Sequence, residues 1–163
     1  MTTQTMPTEQ DLDPVFLLAD TNPEAMKVMN TGIVAAFRAA NGKLDGAFDG
    51  VPLLLLTTTG ARSGLARTTP VNYTRSDAAY VILASKSGSP RHPDWYHNLL
   101  ADPRATIEVA GATLQVHARL SNGAEHERLF ARHVAALPNF GVYQNRTSRK
   151  IPALVLETRP AAG

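Results

Sequence analysis

The chain of 163 residues contains no cysteine. Disulfides, iron–sulfur clusters, thiolate zinc sites and cysteine nucleophiles are therefore excluded. No apolar run approaches the roughly 18 residues that a membrane-spanning helix needs. The first 15 residues also lack the basic side chains and the apolar stretch of a secretory signal. We therefore expect one soluble domain in the cytoplasm, with peripheral contact to the inner face of the cell membrane left open.

Aromatic residues make up only 6% of the chain, and the formal net charge is only +2. A nucleic-acid module of the β-barrel type needs stacking aromatics and a strongly basic surface, so we expect no nucleic-acid partner. The five histidines include no pair at the i, i+4 spacing of a helical metal motif. We therefore expect no catalytic metal.

Charge is unevenly distributed along the chain. Residues 60–93 carry five basic side chains and one acid, whereas the first 50 residues carry three basic side chains and seven acids. A nearly neutral protein thus concentrates positive charge in one segment of turns and strand ends. Such a segment is either a solvated face or a site for an anionic ligand.

We predict a loose leader over residues 1–20, a single domain over 21–158 and a short tail over 159–163. The first helix begins at Pro23 with Asn22 as its cap, and Gly42 ends it. One face of this helix carries an apolar stripe at spacings of three and four residues: Met26, Met29, Ile33, Phe37 and Ala40. This stripe either packs on the core or contacts a membrane or an apolar substrate site.

Short apolar or alternating runs predict six strands, over residues 51–59, 67–75, 79–85, 105–109, 114–120 and 151–157. Helices are expected over 92–101 and 123–137, and a loop over 138–150. Pro70 cannot donate to a strand ladder, so its strand should be an edge strand or contain a bulge. Six mostly antiparallel strands with flanking helices indicate a small barrel or a curled sheet. A Rossmann fold is excluded because the glycine turn joins two strands.

The turn Gly60-Ala-Arg-Ser-Gly64 carries Arg62 and Ser63, and Arg67 follows it. A serine nucleophile of the elbow type lies between a strand and a helix, whereas Ser63 lies between two strands. A tight turn can instead expose backbone N–H groups to an anion, and arginine matches carboxylate and phosphate geometry. The turn is either such an anion site or a solvated hairpin tip.

The segment His-Pro-Asp-Trp-Tyr-His-Asn-Leu at 92–99 begins a helix and contains the only tryptophan, Trp95. Helix starts favour anions, and Lys86 and Arg91 lie just before this one. Trp95 therefore either forms an aromatic wall beside an anionic ligand or anchors an ordinary helix in the core. The loop over 138–150, with Phe140 and Tyr143, either covers a site or packs on the surface.

Four segments together resemble the deazaflavin-dependent nitroreductase family of actinobacteria, which uses coenzyme F420. They are the TTTGARSGLARTTPV hairpin, the VILASKSG strand and loop, the HPDWYHNL helix start and the IPALVLE final strand. The family adopts a split β-barrel related to the flavin-binding pyridoxamine-oxidase barrels. The resemblance therefore implies a split β-barrel of about six mostly antiparallel strands with flanking helices.

The resemblance also implies a cofactor site. The residues expected at the phosphate and glutamyl tail of F420 are Ala61, Arg62, Ser63 and Arg67. Those expected to line the deazaflavin are Thr68, Thr69, Pro70, Val71 and Asn72. Those expected at the ring and the phospholactyl part are Leu83, Ala84, Ser85 and Lys86. The other side of the site is expected to consist of Asp94, Trp95, Tyr96, His97 and Asn98.

Members of this family transfer hydride from the reduced deazaflavin to quinones, enones or nitro compounds. By that resemblance Ser85 is the candidate hydrogen-bond donor to an acceptor oxygen, and Tyr143 donates a proton or packs on the substrate. Asn72 stands where the nitro-activating members carry tyrosine, and their covering loop has several tyrosines, whereas this chain has Leu137, Phe140 and Tyr143. We expect Asn72 to affect the choice of substrate.

Two alternatives remain open within the same barrel. One is a reductase that binds FMN instead of F420, and the other is a non-catalytic protein that carries F420 or a lipid. The expected partner in the leading interpretation is a small electron acceptor such as a quinone. The sequence leaves the oligomeric state open.

Overall fold

The computed structural model describes residues 23–43 and 51–159. These residues form four α-helices, α1 (Pro23–Ala39), α2 (Asp94–Ala101), α3 (Gly123–Ala136) and α4 (Asn139–Asn145), and a short 3-10 helix over Lys86–Gly88. The strands are β1 (Leu53–Thr59), β2 (Ala66–Asn72), β3 (Thr74–Ser76), β4 (Ala79–Leu83), β5 (Arg104–Val109), β6 (Ala112–Leu120) and β7 (Ala153–Thr158). The predicted leader, the Asn22 cap and most of the loop after α1 lie outside the described residues.

All seven strands form one antiparallel sheet in the order β2-β1-β5-β6-β7-β4-β3. The sheet curls, so that β2 near one end also contacts β4 near the other. Helices flank this half-closed barrel. The expected fold, a mostly antiparallel split barrel with flanking helices, is confirmed. Pro70 lies on β2, which is an edge strand as its missing N–H requires.

The second predicted strand, over 67–75, is divided into β2 and β3 in the structure. β2 ends at Asn72 after pairing with β1, and β3 pairs with β4 at the opposite end of the sheet. Tyr73 lies at the corner, where its N–H donates to Pro52 O at 3.3 Å and its ring packs edge-on against Tyr80. The prediction of six strands was wrong here because the alternation continues through the corner and does not reveal the change of partner.

The loop predicted over 138–150 contains the short helix α4, so that prediction was wrong in its first half. Phe140 and Tyr143 are buried on one side of this helix. Seven residues with Gly141 in the middle give too short an apolar period to be recognised in the sequence.

The core consists of two clusters on opposite faces of the sheet, as the period-two alternation of strands requires. On β4, Tyr80 and Ile82 face the barrel interior, whereas Val81 and Leu83 belong to the cluster that includes residues of α3 and α4. The barrel cluster also includes Trp95 and Leu99 of α2. Helix α2 is thereby fixed against the barrel.

Helix α1 is anchored near its C-terminal end. Phe37 is buried, and Arg38 makes a two-pronged ion pair with Glu108 of β5 at 2.9 and 3.0 Å. Gly42, with a φ of +85°, ends the helix as predicted, since its N–H donates to Phe37 O. None of the helices in the described ranges is long and apolar enough to cross a bilayer. Peripheral membrane contact through α1 stays a prediction.

Candidate functional site

The Gly60–Gly64 turn is held by hydrogen bonds of its own. Gly60 N–H donates to Leu65 O at 2.8 Å, and Leu65 N–H donates to Ser63 Oγ at 3.1 Å. A Cβ on Gly60 would lie 2.5 Å from Ser63 Oγ, so a larger residue there would displace the Ser63 hydroxyl from its position in the turn. The Ser63 hydroxyl therefore serves the geometry of the turn.

Asn98 joins this turn to helix α2. Its Oδ1 accepts from Ala61 N–H at 2.9 Å, and its Nδ2 donates to Thr58 Oγ1 at 3.1 Å. Asn98 is buried, so these bonds are protected from competing water. Both ends of its amide are committed to the protein. Asn98 and Ala61 therefore position the turn, and the side chains of the turn are left to contact a ligand.

The β1–β2 register decides which residues of β2 face α2. Arg67 lies opposite Thr58, and Thr69 lies opposite Leu56. Directly paired residues in an antiparallel sheet project to the same face, and Leu56 is in the barrel cluster. Arg67, Thr69 and Val71 therefore share the face on which α2 packs.

The alternating residues Thr68, Pro70 and Asn72 project to the other face of β2. Thr68 Oγ1 lies 2.8 Å from Thr57 Oγ1, and Asn72 Nδ2 donates to Pro52 O at 3.1 Å. The segment 68–72 was expected to line one ring as a continuous stretch. The sheet brings only its alternate residues to the face beside α2.

Four basic side chains in this region make no ion pair or hydrogen bond within the described part of the chain: Arg62, Arg67, Lys86 and Arg91. By contrast, Arg38, Arg104 and Arg119 are each paired with a carboxylate. Unpaired cations on neighbouring turns are available to an anionic ligand.

Arg75, the fifth basic residue of the charged segment, is elsewhere. Its guanidinium lies 3.9 Å from the centroid of the Tyr80 ring and donates to Ala78 O and Ala79 O. It therefore caps the β3–β4 hairpin, and the positive segment seen in the sequence is divided between two places.

The loop after β4 adopts an unusual backbone. Ser85 is right-handed, with φ −84° and ψ −40°, and Lys86, Ser87 and Gly88 follow with φ of 44°, 54° and 82°. A right-handed residue followed by a left-handed one directs successive N–H groups into a concavity that favours anions. A Cβ on Gly88 would lie 2.6 Å from Tyr143 O, so only glycine fits against α4. We call residues Ser85–Gly88 the nest loop.

Two arginines from the segment after α4 hold this loop from behind. Arg146 Nη1 donates to Ser87 O at 2.6 Å. Arg149 donates to five acceptors at 2.8–3.1 Å: the carbonyl oxygens of Ala84, Ser85, Ser89 and Arg91, and Nδ1 of His92. Sequence reasoning missed the role of both residues and predicted only that this loop covers a site or packs on the surface, because nothing local to it identifies its distant partners.

Helix α2 separates its aromatic residues by environment. Trp95 is 7% exposed in the barrel cluster, so it is an internal anchor, as one of the two interpretations held. Tyr96 is half-buried and packs on His92 with ring centroids 4.3 Å apart, and His97 contacts both rings edge-on. Asp94 is exposed on the first turn. The first partly exposed aromatic rings that follow the nest loop in the sequence are therefore those of His92 and Tyr96.

Tyr143 lies under the nest loop and is only 3% exposed. Its hydroxyl accepts from Asn139 Nδ2 at 3.1 Å, and burial raises the pKa of the phenol. Its ring packs edge-on against Phe140. This geometry favours support of the loop over direct contact with a substrate. Leu83 and Ala84 are likewise buried, so any contact they make with a ligand is through the backbone.

Comparison with known proteins gives a consistent family. A family model described as F420H(2)-dependent quinone reductase matches residues 31–158. A curated F420H(2)-dependent quinone reductase from Mycobacterium tuberculosis is 41% identical over 129 residues, which cover 77% of this chain and 87% of that protein.

Solved structures agree on the fold. An F420-H2 dependent reductase named FDR-A is 37% identical with a TM-score of 0.61, covering 65% of this chain and 94% of that one. A structure described as a domain-swapped dimer is 32% identical with a TM-score of 0.63, covering 83% of this chain and all of that one. A Listeria innocua protein named for pyridoxamine 5'-phosphate oxidase, at 8% identity and a TM-score of 0.50, shares the fold alone over 81% of this chain and 94% of its own.

Proposed function

Because the chain belongs to the F420H(2)-dependent quinone reductase family, we propose that it is an oxidoreductase that uses coenzyme F420 to reduce a quinone. F420 when bound supplies the hydride, and the protein supplies binding, orientation and electrostatics. The observation that carries the proposal is the set of cations around the turn and the nest loop that have no ion pair or hydrogen bond among residues 23–43 and 51–159.

The residues present fit this cofactor. F420 combines a flat deazaflavin with an anionic phosphate and glutamyl tail. We assign the tail to Arg62 and Arg67, which carry fork-shaped donors suited to phosphate and carboxylate. We assign the phosphate nearest the ring to the N–H groups of Ser85 and Lys86 in the nest loop and to the side chain of Lys86. We assign the ring to the inner face of β2 at half-buried Thr69, whereas Val71 on the same face is buried in the barrel cluster.

Ser85 is the residue we assign to the acceptor oxygen. It lies two residues after the end of β4, is 8% exposed, and its carbonyl accepts a hydrogen bond from Arg149 at 2.8 Å. A preorganised hydroxyl that donates as negative charge develops lowers the barrier with little reorganisation. In this scheme Tyr143 does not contact the substrate; it packs against the nest loop and supports it. Asn72 lies on the other face of β2. We still propose that it affects the choice of substrate.

The test of the function is an anaerobic assay of purified protein with reduced F420 and a panel of quinones, enones and nitro compounds. With quinones we expect reduced F420 to be oxidised at a rate proportional to the enzyme concentration, since the family is a quinone reductase family. The enone and nitro arms define the range of acceptors. Binding of F420 without turnover across the panel would favour a carrier instead. Tight binding of FMN with no effect of F420 would overturn the choice of cofactor.

Replacing Ser85 by alanine is expected to lower kcat by roughly 10- to 100-fold, the cost of removing one preorganised donor. The Kd for F420 should change much less, because the alanine keeps the backbone of the loop. Single-turnover kinetics and a fluorescence titration of F420 give the two values. Ser76→Ala on β3 is the matched control. A larger loss in affinity than in kcat would make Ser85 a binding residue only.

A further inference from the structure

In the function proposed above Arg149 only fixes the Ser85 carbonyl, yet its side chain also donates to four other acceptors in the same stretch of chain. A guanidinium carries five N–H donors, and the five acceptors within 3.1 Å all belong to residues 84–92. Gln144 fixes the segment that carries Arg149, since its amide donates to Arg149 O at 2.7 Å and accepts from Ile151 N–H at 2.9 Å. We call the hydrogen bonds from Arg149 to residues 84–92 the clamp. Gln144 therefore fixes the backbone of Arg149, while the side chain of Arg149 fixes the loop.

The clamp also determines where the loop amides point. In a trans peptide the C=O and the following N–H point in opposite directions. Because the Ala84 and Ser85 carbonyls point to Arg149, the N–H groups of Ser85 and Lys86 point away from it. The positive φ of Lys86 completes the anion-binding arrangement.

Arg149 also fixes the tautomer of the His92 ring. Arg149 Nη1 and His92 Nδ1 are 3.1 Å apart. A guanidinium only donates, so Nδ1 must be the acceptor and the neutral ring carries its proton on Nε2. Burial, followed by the charge of Arg149 and by His97, lowers the pKa of His92, which agrees with a neutral ring. Packing on Tyr96 limits its rotation.

We propose that Arg149 is a positioning residue: it shapes the nest loop into a receptor for the anionic phosphate of the cofactor and holds His92 as an Nε2–H donor beside that loop. This inference rests on the proposed function for the identity of the ligand. Its five side-chain hydrogen bonds to residues 84–92 shape the loop, and the loop contacts the ligand, so the effect of Arg149 on the ligand is indirect.

The first test is the variant Arg149→Lys, which keeps the charge and loses the fork of donors. We expect F420 to bind at least about tenfold more weakly, the order of effect of losing charge-assisted hydrogen bonds. The affinity for the deazaflavin riboside, which lacks the phosphate and glutamyl tail, should fall by less than about threefold, because the amides of the nest loop do not bind that ligand. Lys150→Ala is the matched control, since Lys150 pairs with exposed Glu127 at 3.2 Å. Unchanged binding of F420, or an equal loss for both ligands, would overturn the proposal.

The second test needs no variant. Nitrogen-15 NMR of the histidine rings in the wild-type protein should find His92 neutral at pH 7 with its proton on Nε2. On titration, the Ser85 and Lys86 amides should shift with F420 and not with the tailless riboside. A proton on Nδ1 of His92 would refute the clamp even if F420 is bound and turned over. Conversely, wild-type protein that ignores F420 but keeps the Nε2–H tautomer would refute the proposed function and leave the clamp standing.

Discussion

Replacing Arg62 and Arg67 together by alanine is expected to raise the Kd for F420 by about 100-fold. This corresponds to about 3 kcal/mol of binding free energy for two charge-assisted contacts. Both side chains are exposed and make no ion pair or hydrogen bond within residues 23–43 and 51–159, so their removal breaks no such bond there. Arg67 lies opposite Thr58 on the face beside α2, and Asn98 ties the turn that carries Arg62 to the same helix. The two cations therefore lie on connected parts of one surface.

The measurement is a titration of the double variant with F420 and with the tailless riboside. The riboside should lose little affinity, because the arginines are assigned to the tail. Arg128→Ala with Arg132→Ala removes the same charge from the exposed surface of α3 and serves as the control. A similar loss in that control would mean that the effect is long-range attraction, which salt screens. Equal losses for the two ligands would refute the assignment of Arg62 and Arg67 to the tail.

Acid is expected to cost the protein about 3 kcal/mol of stability between pH 7 and pH 4 through a single side chain, His133. His133 is fully buried, its Nδ1 lies 3.0 Å from Thr74 Oγ1, and its ring meets Phe140 edge-on at 4.5 Å. Its Nε2 has no hydrogen-bond partner among residues 23–43 and 51–159. Burial lowers the pKa of His133 from its ordinary 6.5 to about 4.

The direction follows from proton binding in the two states. The unfolded chain takes up the proton near pH 6.5, while the folded protein resists it until about pH 4. The unfolded state therefore binds more protons in that window, and the free energy of unfolding falls as the pH falls through it. Above pH 6.5 the contribution is fully present, and below pH 4 this residue causes no further loss.

Urea unfolding of the wild type and of His133→Phe between pH 7.5 and pH 4 checks this prediction. The variant keeps a ring against Phe140 and should lose most of the slope, whatever its absolute stability. Burial also lowers the pKa of His92 and of His126, so a smaller slope will remain. His117→Gln, on the exposed face of β6, is the control. The prediction fails if His133→Phe keeps the full wild-type slope.

Local periodicity in the sequence predicted most of the elements. The alternation in residues 105–109 and 114–120 became β5 and β6, and the stripe that includes Phe37 became α1. These predictions succeeded because a half-buried strand or helix must place apolar residues at its own period. Pro70 marked an edge strand for an equally local reason.

The sequence was less informative where two distant segments meet. The corner at Tyr73, the helix α4 and the internal position of Trp95 each depend on partners far along the chain. The five basic residues of the charged segment looked like one patch, yet Arg75 lies over Tyr80 in another part of the molecule. Residue type and spacing carry no information about such separations.

The sequence by itself determined the strand-rich fold class and the concentration of cations around the Gly60–Gly64 turn, because hydrophobic period and turn chemistry are properties of neighbouring residues. Only the tertiary structure decided which of those cations have no partner in the described part of the chain, which face of β2 meets α2, and that Arg149 organises a loop about 60 residues away. Its five acceptors are mostly backbone carbonyls, which every residue carries. Their convergence exists only after the chain has folded.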